Sequence, residues 1–330
     1  MTPALRPMNL GEILDRTFQI YRSRFLAFVA IAAIPALVMQ LVHIADNSWL
    51  HLHSLVHPFR QPGIFLWDFA VGLAFYHFAA LFGLFFEPAL IKLTSCSILG
   101  EQFSPFAAIR FVAARWRSYL WIAILKLFVE LVIPELVATG LAIGAGAVAN
   151  AAGGFDGNLI WPALLIVALW LLVGFGLFLW AGACLSLAVP VAALEYLVGS
   201  KSLRRSWGLT RGSRGRIWLV WQLIFISSWF SSWGLQRSLW YLASLLSEGS
   251  HLMVTMRALY IAAIYLSMTV LAAVIGPVYP IAVTLFYYDQ RIRHEGYDIE
   301  QMMAAAGLNP TALPTADAPA TPAFPHEGHA

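Results

Sequence analysis

The chain has 330 residues, 60% of them hydrophobic and only 11% charged, with a formal net charge of +3 and a mean hydropathy of +0.74. A water-soluble domain carries about 25% charged residues, so that class is excluded. A nucleic-acid binder is excluded too, because the Lys and Arg residues flank apolar runs and form no soluble basic face. Apolar stretches of about 20 residues or more recur along the chain, which predicts an all-α, polytopic membrane protein.

Residues 1–24 read as a cytoplasmic amphipathic helix. Leu10, Ile13, Leu14, Thr17, Phe18, Tyr21 and Phe25 follow helical spacing and leave Glu12, Asp15, Arg16, Gln19, Arg22 and Arg24 on the other face. Asn9 with Glu12 predicts a capping box, and Met8 with Ile13 a hydrophobic staple. Such a helix suits the membrane interface. The first span is expected over 25–44, tolerating Pro35, and it is long enough to insert uncleaved. A polar stretch with His51, His53 and His57 follows, where solvated loop histidines are a simpler reading than a metal site.

The second span is expected over 64–91, and Ser104-Pro105 then starts a second interfacial helix near 104–117, with Phe106, Ile109, Val112, Ala113 and Trp116 as its stripe. The third span covers 119–148. A fourth starts near Leu159, and its apolar character persists to Val198, which predicts one crossing and an extension kinked at Pro190. A third interfacial unit lies near 200–212, made least regular by Gly212 and Gly215. The fifth span, 217–235, ends in a belt of Trp229, Trp233 and Trp240, and the sixth runs over 258–288. Residues 289–307 are expected to form a cytoplasmic helical segment, with Gly296 as a stop and Asp298 as a new N-cap, and 308–330 a disordered tail.

Arg22/Arg24, Arg115/Arg117 and Arg214/Arg216 precede apolar runs at intervals of roughly 95 residues, and Pro88, Pro190 and Pro280 fall near the inner ends of the even spans. The expected architecture is therefore six transmembrane helices in three hairpin repeats, each preceded by an amphipathic interfacial helix. Lys and Arg concentrate on one side of the spans, leaving only Arg60, Arg237 and Arg257 on the other, which predicts cytoplasmic termini.

Ionisable residues within spans are candidates for function. Lys126 and Glu130, four apart, can pair on one face, and Glu135 can join them in a groove; His77 is the deep residue of the second span. Asp68, His77 and Glu87 spread over roughly 28 Å of helix and cannot form one site by themselves. The six boundary arginines are candidate contacts for phospholipid headgroups, and Asp289, Arg291, Arg293 and Asp298 a candidate docking surface for a protein partner. Gly140 and Gly144 fit close helix packing. Cys96 and Cys184 read as reduced, structural thiols. No Walker A loop, G-x-S-x-G elbow or H-E-x-x-H motif occurs, so no cofactor or metal is expected.

Three segments carry a family likeness: RPMNLGEILDRTFQIYRSRF at Arg6 to Phe25, PVAALE…SLRRSWGLTRG at Pro190 to Gly212, and PVYPIAVTLFYYDQRIRHEGYDIE at Pro277 to Glu300. Together they resemble the membrane domain named for glycerophosphoryl diester phosphodiesterase. The likeness covers most of the chain except the tail and implies a bacterial inner-membrane location. In that family the domain occurs alone or joined to a soluble phosphodiesterase domain that opens with a His-Arg motif. No His is followed by Arg here, so the expectation is a non-catalytic membrane scaffold or accessory protein, with a transporter or lipid-handling protein as the alternative.

Overall fold

A computed structural model describes residues 6–56, 62–101, 103–151, 160–247 and 253–305, and every regular element among them is helical. The helices are α1 (Leu10–Ser23), α2 (Phe25–Val56), α3 (Pro62–Leu99), α4 (Pro105–Ala114), α5 (Trp116–Leu127), α6 (Ile133–Ala151) and α7 (Ile160–Leu185). After them come α8 (Ala188–Leu194), α9 (Ser200–Leu209), α10 (Arg214–Ser247), α11 (Met253–Ile275), α12 (Val278–Glu295) and α13 (Tyr297–Ala305). A π-helical turn, Phe128–Val132, joins α5 to α6. Four stretches are long and apolar enough to cross a membrane: Phe25–Trp49, Ala70–Leu99, Val167–Leu194 and Leu259–Glu295. The α5–α6 stretch carries Lys126, Glu130 and Glu135 and is broken by the π turn, and α10 carries a run of Ser, Gln and Arg.

The long helices pack in a closed circuit. α2 lies on α3, α3 on α5, α6 on α7, α7 on α10, α10 on α11, and α11 returns to α2. At the basic end of this ring, α1, α4, α8, α9 and α12 gather around the densest part of the core. Its centre is α12, in which every residue from Pro280 to Gln290 is buried. A helix buried on all faces lies inside the protein.

The start signals in the sequence form as expected. Asn9 and Glu12 make a reciprocal capping box, with Met8 packed on the core that holds Ile13. Ser104 caps α4 with Pro105 in the first helical position. The predicted stripes hold in part. α1 buries Ile13, Thr17 and Ile20 and leaves Phe18 outward; α4 buries Ala108 and Val112 and leaves Phe106 and Trp116 outward. Leu10, Leu14 and Tyr21 of the α1 stripe are partly buried against the core.

Two helix breaks share one geometry. α7 stops two residues before α8, and α11 two residues before α12, with Pro190 and Pro280 each third in the new helix. Proline lacks an N–H and collides with the preceding turn, so the ladder opens there and not at the proline itself. Six residues before each proline a carbonyl is taken up by a hydroxyl from an interfacial helix. Ser206 (2.9 Å) and Thr210 (3.3 Å) donate to Cys184, and Tyr21 (2.6 Å) donates to Val274. Pro88, by contrast, sits inside an unbroken α3.

Several expectations need correction. The fourth apolar stretch opens at Ser186–Leu187, not at Pro190, and α8 with 7 residues is too short to cross. Gly140 and Gly144 have nothing within 4 Å of an added Cβ; the close approach is made by Gly174, whose Cβ would meet Ala138 Cβ at 3.1 Å. Asp298 lies inside α13 and is not its N-cap, although Gly296 does stop α12 in the left-handed region, with φ 65°. Asp289 to Glu295 continue α12 and do not begin a separate segment. The tail 308–330, His57 and the side chains of His51 and His53 lie outside the described residues.

Candidate functional site

The ring encloses a cavity of about 390 Å³ to which α2, α3, α5, α7, α10, α11 and α12 all contribute. Most of its wall is apolar, including Pro35, Phe86, Phe178, Trp218 and Trp221. Its polar side is made by Lys126, Glu87, Glu130 and Tyr279.

Local chain chemistry places these groups. Pro134 cannot donate to the carbonyl one turn back, and just before it the helix widens into the π turn, where the Ile133 N–H bonds to Phe128. Glu130 sits in that turn, one helical step from Lys126. Glu87 comes from α3, immediately before Pro88. Lys126 Nζ stands 3.8 Å from Glu87 Oε2 and 3.8 Å from Glu130 Oε1, with Lys126 3% and Glu87 6% exposed. These are ion-pair distances, longer than hydrogen bonds. Oε1 of Glu87 and Oε1 of Glu130 are buried without a hydrogen-bond partner. One ammonium therefore faces two carboxylates that it does not satisfy.

His77 and Glu135 form a second polar rung between α3 and α6. His77 Nδ1 lies 2.7 Å from the Leu73 carbonyl, and Nε2 lies 3.2 Å from Glu135 Oε2 without hydrogen-bond alignment. The sequence-predicted set His77, Lys126, Glu130 and Glu135 thus separates into two pairs. Their placement on antiparallel segments sets the rungs about ten residues apart along α3, roughly 15 Å. Glu87 is the member that sequence reasoning missed. It lies 39 residues from Lys126 in the chain (126 − 87), and no periodicity links positions so far apart.

The boundary arginines divide by role. Arg24 donates to the carbonyls of Glu101 (2.9 Å) and Phe103 (3.3 Å), tying the α1–α2 hinge to the loop before α4. Arg216 pairs with Asp289 at 3.5 Å and donates to the Met8 carbonyl at 2.9 Å. Arg115 lies over Tyr196, Arg117 over Trp116 and Arg214 over Trp207, while Arg22 is exposed. The three Arg pairs do not share one register either. The hinge falls at Arg24 in the first unit, at Arg115 in the second and before Arg214 in the third.

Of the residues expected on a docking surface, Asp289 turns fully inward, Arg291 and Asp298 are half-buried, and Arg293 is exposed but engaged. Asp289 is fully buried; its Oδ1 accepts from the Met8 N–H at 2.8 Å and Arg293 grips both its oxygens at 3.0 Å. Arg291 stacks on Tyr297, 4.0 Å from the ring centre, and bonds to Glu295 at 3.0 Å. Asp298 is half-buried on α13. Nearby, Arg205 bridges Glu195 and Glu295, and the Tyr287 hydroxyl donates to Glu195 at 3.0 Å. The first, middle and last segments of the chain are thereby fastened to one another.

Among the described residues, no cluster of three or more His, Cys, Asp or Glu is placed to hold a metal ion. Cys96 and Cys184 are both buried and free. Comparison of the chain with protein families, with curated proteins and with solved structures finds no match.

Proposed function

We propose that this is a non-catalytic, multi-pass protein of the bacterial cytoplasmic membrane that holds an amphipathic molecule in its central cavity, as a lipid-handling protein or transporter does. The observation that carries the reading is the cavity itself: about 390 Å³, walled by apolar side chains from seven helices, with buried charge on one side. That combination of size, apolar lining and few polar groups suits a small ligand. A scaffold that docks a protein partner through Asp289, Arg291 and Arg293 is less well supported, since these side chains already hold α1, α12 and α13 together.

In this reading six helices cross the membrane as three hairpins, with both termini on the cytoplasmic side. The closed circuit of helices, the matching breaks before Pro190 and Pro280, and the concentration of Lys and Arg at one end support it. Outward-facing Phe18, Phe106 and Trp116, with the exposed Arg22, Arg115 and Arg117 nearby, are placed to meet phospholipids. The likeness to the phosphodiesterase-linked membrane domain supports the location and supplies no activity.

The test is native mass spectrometry of protein extracted in its own lipid. A small amphiphile bound in stoichiometric amount, and absent from a Gly83→Leu, Gly182→Leu variant, is the expected result. Both glycines line the cavity and have open space where a side chain would go. A second polypeptide with no bound amphiphile would overturn the reading in favour of a scaffold.

A further inference from the structure

We infer that the cavity selects molecules with a cationic head and an apolar body: lipophilic amines or quaternary ammonium compounds. The inference rests on the cavity reading above and adds the chemistry of the head. A buried carboxylate oxygen without a donor costs free energy that a ligand can recover. Glu87, 6% exposed, and Glu130 both line the cavity, and each carries such an oxygen, buried and within a side-chain rotation of the cavity space. Lys126 stands too far from both to supply the missing hydrogen bonds, 3.8 Å in each case.

Charge and ring chemistry point the same way. Two carboxylates outnumber the single ammonium, so an anionic head entering here would meet Glu87 and Glu130 at short range in a low-dielectric wall. Phe86, Phe178, Trp218, Trp221 and Tyr279 line the same space. Aromatic faces attract organic cations, which they bind without needing a directed donor. A hard metal ion, by contrast, needs six or more oxygen ligands, and the wall is largely apolar. His77 and Glu135 are absent from the cavity lining and do not enter the argument.

Three probes with one tail separate the head from the tail: octyltrimethylammonium, octyl sulfate and octanol. Binding is measured by equilibrium dialysis of the purified full chain in a non-ionic detergent, with the Gly83→Leu, Gly182→Leu protein as the blank. The expected result is saturable binding of the cation, about tenfold or more tighter than that of the other two. The preference should vanish in a Lys126→Met, Glu87→Gln, Glu130→Gln variant, whose uncharged cavity keeps the fold and still takes octanol. Equal binding of all three probes, or tighter binding of the sulfate, would overturn the head-group inference while leaving the cavity reading standing. No difference from the blank for any probe would overturn both.

Discussion

Lys126 is where the cost of buried charge is easiest to read. Removing one partner from a buried ion cluster leaves the others uncompensated, so Lys126→Met alone should lower stability by on the order of 3–5 kcal/mol. The triple variant that also removes Glu87 and Glu130 should return to within about 1 kcal/mol of wild type. Thermal unfolding in detergent compares the two. A different titration is visible at Glu12. The hydrogen bond from the Asn9 backbone, and then Arg6 beside it, hold its carboxyl below the ordinary carboxylate range. A group depressed in the folded state stabilises the fold above its unfolded value, and loses that contribution as pH falls through the folded one. The first turn of α1 should therefore fray below about pH 4, seen as faster hydrogen exchange at Asn9 than intrinsic rates explain, and Glu12→Gln should flatten that dependence. The Asn9–Glu12 box was legible because a cap is a local rule. Glu87 was not, because its partner is fixed only by how α3 meets α5.

Among the elements, the junctions between helices explain more than the helices do. Gly199 precedes α9 with φ 66° and ψ −136°, and a Cβ there would meet Trp121 Nε1 at 3.1 Å. Gly199→Ala should cost about 1–3 kcal/mol, detectable as a lower midpoint of unfolding. Asp289→Asn weakens the join between α12 and the chain before α1, removing the charge that Arg216 and Arg293 share. A loss on the order of 3 kcal/mol is expected, with residues near Met8 becoming sensitive to protease. Sequence spacing located α1, α4 and α9 well, since periodicity and caps are written locally. It did not separate, within the stripes of α1 and α4, the side chains that meet the core from those that face out, because hydrophobicity alone does not distinguish a side chain buried in protein from one buried in lipid. Phe18 and Phe106 are the examples: both belong to the apolar stripes, and both face out while their stripe neighbours Ile13 and Val112 are buried.

For the molecule as a whole, membrane character and all-helical class were plain from composition. The cavity was not, since it exists only where seven helices from distant parts of the chain converge. The last core helix was also hidden. Residues 289–295 look like a polar cytoplasmic extension, yet they complete α12, and Asp289, Gln290 and Ile292 among them are buried. A chain ended after Tyr288 should consequently fail to accumulate as folded protein in detergent extracts, judged by size-exclusion elution, whereas one ended after Ala305 should elute like the full chain.

That dependence has a bearing on how the protein is made. Met8 lies 281 residues before Asp289 and 285 before Arg293, the two groups that hold it. Domains usually fold in the order of synthesis. Here α1 must wait until α12 is available to receive it. Assembly of the basic end therefore follows the synthesis of α12. A nascent chain stalled before Val278 would leave Met8 and α1 without the side chains that hold them.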